Sequence, residues 1–493
     1  MRAALNSDRL IKRRRISLRG VVCLLAFAIS GLLIANIGVV YRSFVVPESS
    51  SIRSSHTPRP DGSFNKVPIY LRTAEFHSSV HCIGETHDLS TAWMYRSCKF
   101  HNLCFDTSTT DFFLVKSPVE QKYQEHRMDG SFVSTSMLQH NMSLALGGIN
   151  PRWQGTDFNQ GIDKVKWFPN IVDEPPAQYF SLPDNMVLLP FHSFAAHNVG
   201  HLLWDDFYPM YLLLGNFGLL SLRKLLLRVD TLPLLYGTCE MRPKKKQKCA
   251  DNFEKFLPLF GVDPRTFTTT KHSQLNPVSP SVVCAKTAVA GLGMLTDHGL
   301  NDHGWNPSVE TTVQNVGKGV LFYQFRNFML RNLGLPIGRA QDDHSLFRIV
   351  LSAHSSSYKG RNVDFAAHYD MIHQAYPIVD LHRVELASMT VMEQVHLVSQ
   401  TNIFVSVCGG GTMTATFLPR GATLILFYHE QGGFEFSNMS LVGGPAFLDW
   451  DLFNNAAHLH VHWLPIGSMN TPEGIESFKY LIRHEIDVPV NAV

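Results

Sequence analysis

The sequence has little excess charge of either sign. Its 43 Lys and Arg stand against 41 Asp and Glu, a net +2 over 493 residues. Such a balance gives no electrostatic reason to expect nucleic-acid binding. One dense basic cluster stands in the C-terminal three-quarters, "RPKKKQK" from Arg242 to Lys248. No aromatic residue interleaves with it, so it reads as a solvated loop rather than a binding patch. Internal repeats are lacking, and no second apolar run matches the first one, Gly20 to Tyr41. Cysteine is sparse, and Cys98 and Cys104 have no zinc-ligand spacing.

What is present begins at the N-terminus. Residues 1–19 carry Arg9, Lys12, Arg13, Arg14, Arg15 and Arg19. Residues 20–41 then carry no charge and are long enough to cross a bilayer as a helix. The basic flank predicts a cytosolic tail, a single-pass type II anchor and a lumenal remainder. Residues 42–67, rich in Ser, Pro and Arg, read as a stem. Of the 8 cysteines, Cys23 lies in the apolar run. The others are odd in number, so at least one is expected to be a free thiol or to pair between chains. Cys239 and Cys249 flank the basic cluster and are placed to staple its base. Asn141 and Asn438 each begin an "NMS" glycosylation sequon.

Apolar runs bounded by turn residues alternate with helix-period stretches, which argues an α/β fold. Expected strands include Asn185 to Phe191, Ser281 to Ala290, Phe347 to Ala353, Asn402 to Val407 and Ala422 to Tyr428. Expected helices include His201 to Gly215, Gly319 to Leu333, Val391 to Ser399 and Thr412 to Leu418. Two α/β domains, 68–335 and 336–493, meet near "LRNLGLPIG". The second reads as a parallel sheet with right-handed crossovers.

Three motifs carry chemistry. In "FVSVCGGGTMTATFLPRGA", Gly409, Gly410 and Gly411 end a strand and open a helix, with Cys408 before them and Thr412 and Thr414 after. Backbone N–H groups at such a turn favour a phosphate, Thr412 and Thr414 are placed to cap the helix or donate to that anion, and Cys408 is expected at the rim of the loop. The loop "HSSSYKGRN" after an earlier strand offers Lys359, Arg361 and Asn362 to the same anion. In "HSFAAHNVGHLLWDDFYPMY", His197, Asn198 and His201 precede Asp205 and Asp206. At helical spacing His201 and Asp205 share a face, and either can take a proton from a hydroxyl nucleophile. Weaker signals are the D-x-D of Asp449 and Asp451, and the triple His458, His460 and His462 on one face of a strand. The latter reads as packing rather than a metal cluster.

Together these segments resemble glycosyltransferase family 61. The pieces are Glu393 and Gln394 on a helix, the glycine loop, and Phe417, Leu418, Pro419, Gly421 and Ala422. "GRN" at 360–362, "HNVGHLLWDDFYPMY" and "YRSCKFHNLCFD" add to the likeness, which spans Cys82 to Trp463 with gaps. The resemblance implies a GT-B fold, two Rossmann-like domains flanking a cleft, and an inverting enzyme that needs no metal. It assigns Arg361, Glu393 and the glycine loop to a nucleotide sugar, and His201, Asp205 or Asp206 to the acceptor side as general base. It implies a hexosyl- or pentosyltransferase of the Golgi or ER, acting from an expected UDP-linked donor on a glycan or glycoprotein. Many members have His before the glycines and Arg near the earlier strand end, where this chain has Cys408 and His354. Those differences motivate one alternative, a silent glycan-binding or scaffold relative. The D-x-D motivates another, a metal-dependent GT-A enzyme using Asp449 and Asp451.

Overall fold

The alternation of strands and helices folds into two large sheets. In the computed structural model the residues described are 69–71, 76–83, 96–106, 108–109, 111–116, 132–133, 144–145, 166–191, 196–220, 224–228, 243–261, 281–291, 317–338, 347–355, 362–429 and 447–491. The expected anchor, the stem, Asn141 and Asn438 lie outside them. Among the described residues no helix is long and apolar enough to cross a membrane.

Among the described residues the first sheet has ten strands and is mixed. Its strands include β1 (Ser97–Asp106), β2 (Met186–Pro190), β3 (Lys224–Arg228), which pairs with β2 alone, and β4 (Val282–Gly291). β2 is parallel to both β3 and β4, but β4 runs antiparallel to β1 over most of its length. The first half is therefore less Rossmann-like than expected. Short connections are the reason: only residues 107–110 separate β1 from Asp111–Val115, too few for a crossover, and the two pair antiparallel. The disulfides Cys82–Cys98 and Cys104–Cys284 each join residues directly opposite one another in antiparallel pairs. Cys249 is also disulfide-bonded, to a partner outside the described residues.

Among the described residues the second sheet has five strands, all parallel. They are β5 (Arg348–Ser352), β6 (Asp380–Val384), β7 (Ile403–Val407), β8 (Thr423–Tyr428) and β9 (His460–Pro465). Their order is β6-β5-β7-β8-β9. The run "IFVSV" of β7 is buried on both faces, as a central parallel strand must be. In a sheet of this order the crossovers change sides between β5 and β7, and ligands of open α/β sheets bind outside the strand ends at that point.

Helices fill the space around both sheets. They are α1 (199–216), α2 (Pro243–Phe256), α3 (Gly319–Asn332), α4 (Ala366–Ala375), α5 (Val391–Ser399), α6 (Phe447–Asn454) and α7 (Pro472–Asn491). α2 corrects the loop read for the basic cluster. Past the lysines, Cys249, Asn252, Phe253 and Phe256 recur at helical spacing and are buried, so one apolar stripe carries the charged turn into a helix. A single core joins the sheets. It takes Val187 and Leu189 from β2, Trp204 to Leu214 from α1, Phe322 to Leu330 from α3, and Phe404 and Leu424 from the second sheet.

Candidate functional site

The loop after β7 lies at the switch point, and its three glycines have three different environments. Gly409 has φ +137°, where an L side chain is strained. At Gly411 a Cβ would stand 2.8 Å from Ser355 Cβ and 3.0 Å from the Ser355 carbonyl oxygen. Ser355 follows β5, so the two switch-point loops pack against each other. Gly410 is exposed, and a Cβ there would meet only Asn198 Oδ1, at an ordinary 3.5 Å, among the described residues.

The glycines open a 3-10 helix, Gly410–Phe417, rather than an α-helix. Thr412 tightens its entry: Oγ1 donates to the Val407 carbonyl at 2.8 Å, and its N–H donates to Gly409 at 2.9 Å. Thr412 is fully buried, so its expected role as a donor to an anion is corrected to one of closing the turn. Cys408 is corrected as well. β7 is covered on both faces, so its side chains alternate between two cores: Val407 enters one and Cys408 the other. The Cys408 thiol, in no disulfide, packs inward rather than at the loop rim.

The loop after β5 is closed at its base. His354 N–H donates to Val363 O at 2.9 Å, and His354 Nδ1 pairs with Asn362 Oδ1. His354 takes φ +48° to do so, and its Nε2 stands 3.9 Å from Asp364. Asn362 is therefore engaged with the stem of this loop. Lys359 and Arg361 lie outside the described residues.

Glu393 is committed to its own helix. Its Oε2 accepts from Thr390 N at 2.7 Å and Oγ1 at 2.8 Å, while Thr390 Oγ1 accepts from Glu393 N at 3.2 Å. This is a capping box, and "TVME" carried its signal in the sequence. The two Thr390 bonds hold the exposed carboxyl below its ordinary pKa. Glu393→Ala is expected to lower the urea midpoint by removing half of the capping box, and to leave any nucleotide affinity unchanged. A large loss of affinity with unchanged stability would restore the donor-binding role.

α1 begins beside the glycine loop. Asn198 is its N-cap, its Oδ1 accepting from Gly200 N at 3.0 Å. A Cβ on Gly200 would come within 3.2 Å of Met413, so the helix start and the 3-10 helix are in close contact. Residues Leu202–Phe207 form a π turn, with Tyr208 N–H donating to Leu203 O. Pro209, without an N–H and with a ring that crowds the preceding turn, explains the widening. The i, i+4 relation read for His201 and Asp205 is altered by it. His197 and His201 are half-buried, while Asp206 is fully buried and is removed from the set facing an acceptor directly. The Asp205 side chain lies outside the described residues.

Two positioning residues were not anticipated. Asn252 of α2 donates through Nδ2 to Ala196 O at 2.7 Å, holding the segment that carries His197 and Asn198. Arg326 of α3, with no exposed surface, donates through Nε to Phe417 O at 3.0 Å and so caps the end of the 3-10 helix. Burial lowers its pKa to about 10. The periodicity of "CADNFEKF" was the available signal for Asn252; nothing local marks Arg326.

The weaker motifs separate. Asp449 and Asp451 lie two residues apart on α6, roughly 200° around the helix. His458 precedes β9, buried at 5.1 Å from the Tyr323 ring. His460 and His462 instead meet buried Glu485 of α7, at 3.4 and 2.9 Å. The sequence matches no protein-family model and no curated protein.

Proposed function

We propose that the chain is an inverting glycosyltransferase resembling glycosyltransferase family 61. In this reading it has the GT-B plan, with residues 68–335 on the acceptor side and 336–493 on the donor side, and is held by residues 20–41 in a Golgi or ER membrane. The observation that carries it is Gly410. It sits exposed at the switch point, and among the described residues no contact requires a glycine there. A diphosphate needs that open approach to backbone N–H groups.

The chemistry follows from the neighbours. The nucleotide diphosphate lies on Gly409–Gly411, with Lys359 and Arg361 reaching it from the adjacent loop. Asn198, across from Gly410, and His197 hold the acceptor. His201 takes the proton from an acceptor hydroxyl. That oxygen attacks the anomeric carbon from the face opposite the leaving group, the bond to phosphate breaks, and the configuration inverts. Backbone donors and Arg361 meet the charge that builds on the departing diphosphate. The π turn next to His201 supports a functional role, since such turns concentrate at functional sites.

A binding and hydrolysis screen of the full chain in detergent against UDP-, GDP- and CMP-sugars tests the reading. One donor class is expected to bind, and Arg361→Ala to weaken it by about tenfold or more, since a charge-assisted bond is worth roughly 1.5–3 kcal/mol. Folded protein that binds none of them overturns it.

A further inference from the structure

Beneath the 3-10 helix, away from the proposed donor loop, lies a small cavity of about 10 Å³. Trp204 of α1, Thr416 of the 3-10 helix and His458 supply its polar wall, and Phe322, Leu452 and Ala456 close the rest. The three polar residues are 3%, 5% and 9% exposed. Trp204 Nε1, Thr416 Oγ1 and both ring nitrogens of His458 have no hydrogen-bond partner among the described residues. Buried polar atoms in native proteins are almost always satisfied, and a volume near 10–15 Å³ with two to four polar partners is what one water requires.

We propose that this cavity is an internal water site. One water accepts from Trp204 Nε1–H, donates to a ring nitrogen of His458, and shares a hydrogen bond with the Thr416 hydroxyl. A halide fits the same space less well. It would want donors on every side, and His458 is a neutral ring with one donor and one acceptor. Burial, together with the positive charges of Arg326 and Arg420, brings its pKa down to about 3. The water would tie α1, the 3-10 helix and the turn before β9 into one unit behind the glycine loop. The inference does not depend on the enzyme reading.

A crystal structure of the full chain, at a resolution that shows ordered water and with a parallel bromide soak, tests it. One peak is expected within hydrogen-bond distance of both Trp204 Nε1 and His458, without anomalous bromide signal. A featureless cavity, with the three side chains turned to other partners, would overturn the proposal. So would a bromide peak in the cavity. Trp204→Phe removes the donor and keeps the aromatic wall; the peak should lose occupancy severalfold. Unchanged occupancy in that variant would remove Trp204 from the site and sink the assignment. Thr416→Val, which keeps the volume, is the second variant should Trp204→Phe fail to fold, and it is expected to weaken the same peak.

Discussion

Gly410→Ala should leave stability within about 0.5 kcal/mol of the parent and weaken nucleotide-sugar binding by about tenfold or more. Gly411→Ala should do the reverse in order of cause, losing about 1–3 kcal/mol of stability first. The two residues are adjacent and chemically identical, so the contrast isolates their surroundings. At Gly411 the new methyl meets the Ser355 backbone oxygen at 3.0 Å and Cβ at 2.8 Å, and backbone cannot swing aside as a flexible side chain can. One of the two switch-point loops must move. At Gly410 the methyl meets only Asn198 Oδ1 at 3.5 Å, an ordinary contact. It projects into the exposed space that the proposed diphosphate occupies and holds the phosphate oxygens off the N–H groups. Urea unfolding and calorimetric titration on the same samples separate the two effects. If Gly410→Ala binds the donor as tightly as the parent, the ligand does not approach this loop, and the donor site must be sought elsewhere.

The second half of the fold was readable because each signal there is local. The runs at 403–407 and 423–428 are short, apolar but for Ser406 and Thr423, and bounded by turn residues, which is what a strand covered on both faces demands. The first half was harder. Whether β1 and β4 pair parallel or antiparallel depends on chain paths between residues 106 and 282, which no window of sequence contains. The basic cluster misled for a related reason: composition points to solvent, while the buried stripe that makes α2 starts only at Cys249. At the site, the glycine loop and its switch-point setting were legible, but its individual side chains were not. Cys408 and Thr412 follow the strand so closely that the core takes them. Glu393 had a cap partner three residues back, a pattern as plain as the family likeness that outweighed it. Arg326 bonds a carbonyl 91 residues away, and only tertiary structure brings the two together.

Acid is expected to destabilise this protein from about pH 6.5 downward, above the range in which ordinary carboxylates titrate, and two histidines are the cause. His368 is 1% exposed among Phe365, Phe427 and Phe478, and burial pushes its pKa down to about 4. His458 is pushed to about 3 by burial, then by Arg326 and Arg420. Both fold as neutral rings from an unfolded value near 6.5. Below that value the unfolded chain takes up protons that the folded chain refuses, so stability falls as pH drops. The loss begins near pH 6.5 and continues to the folded values, at up to about 1.4 kcal/mol per pH unit for each ring. At pH 4 each has removed on the order of 3 kcal/mol, a large share of a typical domain's stability. Glu485 acts in a lower window. Burial opposes its ionisation, but hydrogen bonds from His462 and Thr423 prevail and hold it at about 2. Its share is complete above the ordinary carboxyl value near 4.5 and is lost as pH falls towards 2. The histidine window is thus separable by measurement. Urea midpoints between pH 7.5 and 5 should decline steeply in the parent, and His368→Phe, which suits an aromatic setting, should flatten the slope by up to about 1.4 kcal/mol per unit. A parent whose midpoint is constant over that range would mean that both rings reach water or a proton acceptor in the folded state, and neither is buried as described.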